Sequence, residues 1–127
     1  MSRAIADTSV FVAQETGREL DDIPEEIAVS VITAAELELG VLRATGLSAR
    51  AIRLATLSRV QATYPLLPVD PEVASCFARI AAAELARGRR LRRHDTWIAA
   101  TAMRHNAAVI TQDSDFSSFE EVSVIRV

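Results

Sequence analysis

Four acidic positions stand where short apolar runs give way to polar or helical segments. Asp7 follows Arg3-Ala4-Ile5-Ala6, and Glu36 comes soon after Ile27-Ala28-Val29-Ser30. Asp95 opens the segment that runs to His105, and Asp113, with Asp115 close behind, follows Ala108-Val109-Ile110-Thr111. Carboxylates brought within a few ångströms of one another cannot all stay ionised without a cation. A donor set of oxygens alone selects a hard cation, and Mg²⁺ and Mn²⁺ suit it. Such an ion eases deprotonation of water and stabilises the oxygens of an in-line phosphodiester displacement. Phosphoester hydrolysis is therefore the chemistry these acids fit if they meet. Singly, each also fits a local role. Asp7 suits a helix cap and Asp113 a turn. Thr33-Ala34-Ala35-Glu36 matches a capping box, and Asp95 suits a helix start.

Whether they meet depends on the elements that carry them. The apolar runs at 3–6, 27–30, 66–69, 108–111 and 122–127 predict short strands. Helical patterns cover 9–16, 33–42, 48–63, about 70–87 and about 93–105, with Gly46, Tyr64-Pro65 and Gly88 as breaks and Pro71 near a first turn. Gly17 to Pro24 reads as a polar connection, and 112–119 as a loop or short turn of helix. Strands alternating with helices predict an α/β fold with a central parallel sheet of four to five short strands flanked by helices. No repeat, linker or low-complexity segment divides the chain, so residues 1–127 are expected to form one domain. Open α/β sheets bind ligands at the carboxyl ends of their strands. Asp7 and Asp113 share that edge if their strands are parallel, and Glu36 and Asp95 can join from neighbouring helix starts.

Composition removes competing chemistries. All 14 basic residues are arginine; the chain has no lysine. A Walker-type phosphate loop, a Schiff-base mechanism and a receiver-type acidic pocket are thereby excluded or deprived of their usual lysine. With 22 alanines, the pattern fits a coding bias, but the exclusions hold whatever the cause. Cys76 is alone, and His94 and His105 are the only histidines, so an intramolecular disulfide and a multi-cysteine or histidine-rich zinc site are excluded. Neither a signal peptide nor a run of about 18 apolar residues is visible, and a cytoplasmic protein without membrane attachment is expected. Cys76 and Trp97 are expected in the core.

At the acidic positions the sequence resembles the PIN-domain ribonucleases, and more narrowly the VapC-type toxins of bacterial toxin–antitoxin pairs. The matching segments are IADTSV around Asp7, SVITAAELELGV around Glu36, RRHDTWIAATAMRHNAAVITQDSDF from before Asp95 to Phe116, and the closing VSVIRV. The resemblance implies a metal-dependent endoribonuclease that cuts single-stranded or looped RNA, with Mg²⁺ or Mn²⁺ as cofactor. Asp7, Glu36 and Asp95 match three family acids most firmly, and Asp113 matches the fourth. Asp7, Asp95 and Asp113, with Asp115 assisting, would hold the metal; Glu36 would orient a water or a second ion. Thr8, Ser9 and Thr111 fall where small hydroxyl residues orient a carboxylate or water, though each also fits a cap or turn. The resemblance also implies a VapB-type antitoxin as partner and a homodimer.

Arg87, Arg89, Arg90, Arg92 and Arg93 place five arginines in seven residues directly before Asp95. They read either as a solvated helix junction or as a phosphate-binding rim, since guanidinium pairs bidentately with phosphate. The aliphatic segments near 10–16 and 33–63 read as core or as a groove for a partner helix. A metal-dependent phosphatase using the same acids, and an inactive PIN-type module that only binds RNA or protein, are the competing functions.

Overall fold

A computed structural model describes residues 3–20 and 23–127. Part of the Gly17–Pro24 connection, residues 21–22, lies outside the described residues, as do residues 1–2. Five strands, β1 (Arg3–Ala6), β2 (Glu26–Ser30), β3 (Leu66–Leu67), β4 (Ala108–Thr111) and β5 (Val124–Arg126), form one sheet in the order β3-β2-β1-β4-β5. Every pairing is parallel. The helices are α1 (Thr8–Glu15), α2 (Val31–Arg43), α3 (Leu47–Thr63), α4 (Pro71–Ala86) and α5 (Arg93–Arg104). A 3₁₀ turn, Ser114–Ser118, joins β4 to β5.

A parallel sheet needs cover on both faces, and successive side chains of a strand point to opposite faces. Ile5 and Val109 accordingly join Val73, Ile80, Ile98 and Phe116 in a core under α4 and α5. Ala4, Ala6 and Ile110 join Val10, Phe11, Leu37, Leu57 and Val60 in a second core under α1, α2 and α3. Cys76 is buried in the first core, and Trp97 stacks on Phe77 against it, ring centroids 3.9 Å apart.

The chain moves outward from β1 through β2 to β3, then returns to the other side of β1 with β4 and β5. The strand order reverses between β1 and β4, and a crevice opens there at the carboxyl ends of the strands. β1 meets β4 in the register Ala6↔Ile110, so Asp7 and the segment starting at Thr111 emerge side by side. Asp7 N–H donates to the Ile110 carbonyl at 2.9 Å, carrying the pairing one residue past the strand.

The helix after β2 begins earlier than its sequence pattern predicts. Ser30 caps it, its hydroxyl accepting from Ile32 N–H at 3.0 Å, so Val31 is already helical. Thr33 is therefore fully buried inside the helix rather than capping it, and the Thr33–Glu36 capping box does not form. Glu36 sits one turn further in and is released to reach across to α1.

Candidate metal centre

Asp7, Glu36, Asp95 and Asp113 border one open cleft of about 480 Å³, together with Thr8, Ser9, Arg18 and Gln112. Asp7 is buried and serves as the N-cap of α1. Its Oδ2 accepts from Ser9 Oγ at 2.7 Å, from Thr111 Oγ1 at 2.9 Å and from Ser9 N–H at 3.4 Å. Oδ1 takes no hydrogen bond among the described residues, so one face of the carboxylate is fixed and the other is left for the cleft. Both hydroxyls have their own acceptor role. Ser9 Oγ accepts from Gln112 N–H, and Thr111 Oγ1 accepts from Asp113 N–H, each at 2.9 Å. Two single-proton groups thus lock the end of β1 to the segment leaving β4.

Thr8 treats Glu36 in the same way, its hydroxyl donating to Oε1 at 2.7 Å. Glu36 Oε2 lies 3.3 Å from Nδ1 of the exposed His94. Asp113 caps the 3₁₀ turn, Oδ1 accepting from Asp115 N–H at 3.0 Å. The cap role open to Asp7 and the turn role open to Asp113 in the sequence are thus filled, and filling them is what aims each carboxylate. Asp95 lies in the first turn of α5, and its Oδ2 accepts from Arg92 at 3.2 Å.

Burial pushes the Asp95 carboxyl up to about 6, helped by the charges of Asp7, Asp113 and Glu36; Arg92 opposes them. All three other acids are thus close enough for their charges to act on Asp95. Among the described residues no three Asp, Glu, His or Cys side chains are gathered tightly enough to enclose a cation, so the acids face an open cleft. The cleft lining holds neither histidine nor cysteine, and its donors are the oxygens a hard cation takes. A divalent cation would also relieve the repulsion that adds to the effect of burial on Asp95. The donor chemistry therefore fits Mg²⁺ or Mn²⁺.

Asp115 stands apart. Its side chain is 60% exposed, does not border the cleft and lies 3.9 Å from Arg92.

The arginine run divides. Arg87 and Arg89 turn to Glu84, which is buried among the alanines of α4, at 3.2 and 2.7 Å. Arg87 also meets Glu120 and Glu121, and Arg89 donates to the Ser118 carbonyl. Burial would raise the Glu84 carboxyl, but the Arg89 and Arg87 hydrogen bonds outweigh it and hold it below its ordinary value. Arg92 is a strut between Asp95, Ser118 Oγ (2.6 Å) and the ring of Phe119, its guanidinium carbon 4.9 Å from the centroid. Only Arg90 and Arg93 line a cleft beside Glu36 and Asp95 without an ion pair among the described residues. Arg18, Gln112, His94 and Glu84 escaped the sequence reading. His94 carried a signal, since it directly precedes Asp95; Glu84 carried none, in an Ala-rich helix.

Comparison with known proteins places these features in a family. The family model described as PIN domain matches residues 4–122. The chain is 47% identical to Ribonuclease VapC5 of Mycobacterium tuberculosis, over 97% of this chain and 94% of that one. It is 42% identical to Ribonuclease VapC4 of the same organism, over 98% and 97%. Among solved structures it resembles that of VapBC-5, a member of the VapBC family of toxin–antitoxin systems from M. tuberculosis, with a TM-score of 0.90, 44% identity and complete coverage of both chains. It also resembles FitAcB from Neisseria gonorrhoeae, with a TM-score of 0.78, 27% identity and 96% coverage of each chain.

Proposed function

The chain belongs to the PIN-domain family, and from that premise we propose that it is a VapC-type endoribonuclease toxin whose four-acid cleft hydrolyses RNA with a divalent cation. The observation that supports this most is the meeting of Asp7, Glu36, Asp95 and Asp113 at one strand edge, in a chain 47% identical to a ribonuclease over almost its whole length.

Asp7, Asp95 and Asp113 would hold Mg²⁺ or Mn²⁺, directly or through water, with Asp115 assisting from outside the cleft lining. The bound cation would supply charge neutralisation at the scissile phosphate and a lower pKa for the attacking water. The remaining work falls to the chain. Ser9 and Thr111 fix the Asp7 carboxylate so that its free oxygen faces the cleft. Thr8 holds Glu36 where it can accept a proton from water as the water oxygen attacks phosphorus. The bond from phosphorus to the leaving ribose oxygen breaks, and that oxygen takes up a proton from solvent water in the open cleft. Arg90 and Arg93 bind the negative phosphodiester backbone beside the site.

The protein partner in this reading is a VapB-type antitoxin. Val12, Leu39, Leu42, Leu47, Ile52 and Leu54 are large apolar side chains left exposed on α1, α2 and α3, and they offer a partner helix its apolar contact. The toxin works in the cytoplasm as a homodimer, which light scattering would test. Among the described residues no helix is long and apolar enough to cross a membrane.

The purified chain should cleave single-stranded RNA when Mg²⁺ or Mn²⁺ is added and not in EDTA. It should release no phosphate from small phosphate monoesters. Cleavage that is equally fast in EDTA, or monoesterase activity without RNA cleavage, would contradict the reading.

A further inference from the structure

Arg43 of α2 and Arg53 of α3 line a cleft that adjoins the acid site. A second cleft, about 510 Å³, is lined by Thr8, Glu36, Leu39, Arg43, Arg53 and His94. It shares Glu36 and His94 with the Arg90–Arg93 cleft, and Thr8 and Glu36 with the acid cleft. The three are therefore contiguous, and the His94–Glu36 pair forms the ridge between the two arginine-bearing clefts.

The state of the guanidinium groups separates binding positions from structural ones. Arg87, Arg89 and Arg92 are engaged with carboxylates. Arg43 and Arg53 have no ion pair among the described residues, and both side chains belong to exposed residues. Arg53 is nonetheless held, donating from Nη1 to the Gly40 carbonyl at 3.0 Å. That bond uses one of five donors and leaves the rest of the fork available. Two guanidiniums without carboxylate partners, placed beside a cleft of acids, suit a ligand that carries repeated negative charge past the site.

We propose that Arg43 and Arg53 form a second arm of the RNA site, binding backbone phosphates of a single strand across the His94–Glu36 ridge from Arg90 and Arg93. The strand then crosses the ridge beside the acid cleft, with phosphates held on both sides of Glu36. This rests on the ribonuclease reading for the nature of the ligand.

The test compares Arg43→Ala/Arg53→Ala with an Arg3→Ala/Arg79→Ala control of equal charge loss. Binding of a fluorescein-labelled single-stranded RNA is followed by anisotropy across a salt series. An Asp95→Asn background with Mg²⁺ present keeps the RNA intact. Each phosphate contact to a single strand contributes about 0.7 to the log–log salt slope, so losing two should lower the slope by about 1.4 and weaken binding about 25-fold near 0.1 M salt. In the otherwise wild-type enzyme, KM should rise by a similar factor while kcat changes little. Arg43→Lys/Arg53→Lys should keep the slope. A double-alanine variant that binds with the slope and affinity of its parent overturns the second arm. Wild-type protein that binds the RNA without cutting it contradicts the ribonuclease reading and leaves the arm to be judged on binding. Wild-type protein that does not bind it overturns both.

Discussion

Replacing Thr111 with Val keeps the branched shape of a fully buried strand residue and removes a single hydroxyl. That hydroxyl donates to Asp7 Oδ2 and accepts from the Asp113 backbone N–H, both at 2.9 Å, so the substitution takes one donor from the Asp7 carboxylate and frees the backbone that carries Asp113. A hydrogen bond to a charged group contributes about 1.5–3 kcal/mol and a neutral one about 0.5–1.5 kcal/mol. Asp7 keeps its bonds from Ser9, so the expected loss of stability is about 2–4 kcal/mol. Loss of a group that orients a metal ligand typically costs about 10–100-fold in metal affinity or activity. Urea denaturation would read the first effect. The Mn²⁺ or Mg²⁺ concentration giving half-maximal RNA cleavage would read the second and should rise by about 10-fold or more. Thr111→Ser restores the hydroxyl and should recover most of both. A Thr111→Val protein with wild-type stability and an unchanged metal midpoint would refute the claim that this hydroxyl positions the site.

Asp95→Asn should stabilise the metal-free protein above pH 6, because the raised carboxyl is ionised there at a cost of about 2–3 kcal/mol. The gain should shrink as pH falls from about 6 towards the unfolded value near 4, where wild-type Asp95 takes up its proton in both states; thermal melts in EDTA across pH 4–8 would show this. Glu84→Gln should cost about 1–3 kcal/mol at pH 7, less than a fully buried pair because its arginine partners are partly exposed. The Glu84 carboxyl is held low, so its stabilisation is fully present above the unfolded value near 4.3 and disappears as pH falls through the lower folded value. The difference between wild type and variant in denaturation experiments should therefore begin to shrink below about pH 4.3 and keep shrinking as the pH falls further. Saturating Mg²⁺ or Mn²⁺ should raise the wild-type melting temperature, since a ligand at 100 times its Kd adds about 2.7 kcal/mol, and Asp7→Asn should lose most of that rise.

The strands and the acids were legible in the sequence for the same reason. A buried parallel strand is a short apolar run, and the polar residue that ends it marks the sheet's carboxyl edge, as Asp7 and Asp113 do for β1 and β4. Sheet order was less accessible, since nothing in 127 letters says that β4 returns beside β1. Glu36 shows how one cap changes a role. The Thr33–Glu36 pattern is a sound local signal, but Ser30 captures the helix start, and Glu36 is left to pair with Thr8, 28 residues away. The arginine run reads as one unit in the sequence, but its members have different partners in the fold. α4 ends at Ala86 and α5 begins only at Arg93, so the irregular connection between them turns neighbours in sequence to different partners: Arg87 and Arg89 meet Glu84, while Arg90 and Arg93 reach the cleft. Arg43 and Arg53 are the converse, ten residues apart on separate helices and joined only by the packing of α2 against α3.

RNA cleavage by purified wild type, Asp7→Asn and Asp95→Asn in the same Mg²⁺ or Mn²⁺ buffer, with the new 5′ ends mapped, tests the catalytic role of the acids most directly. Discrete cuts by the wild type that vanish in both folded variants are the expected result. Cuts at the same positions and rates in all three proteins would contradict it.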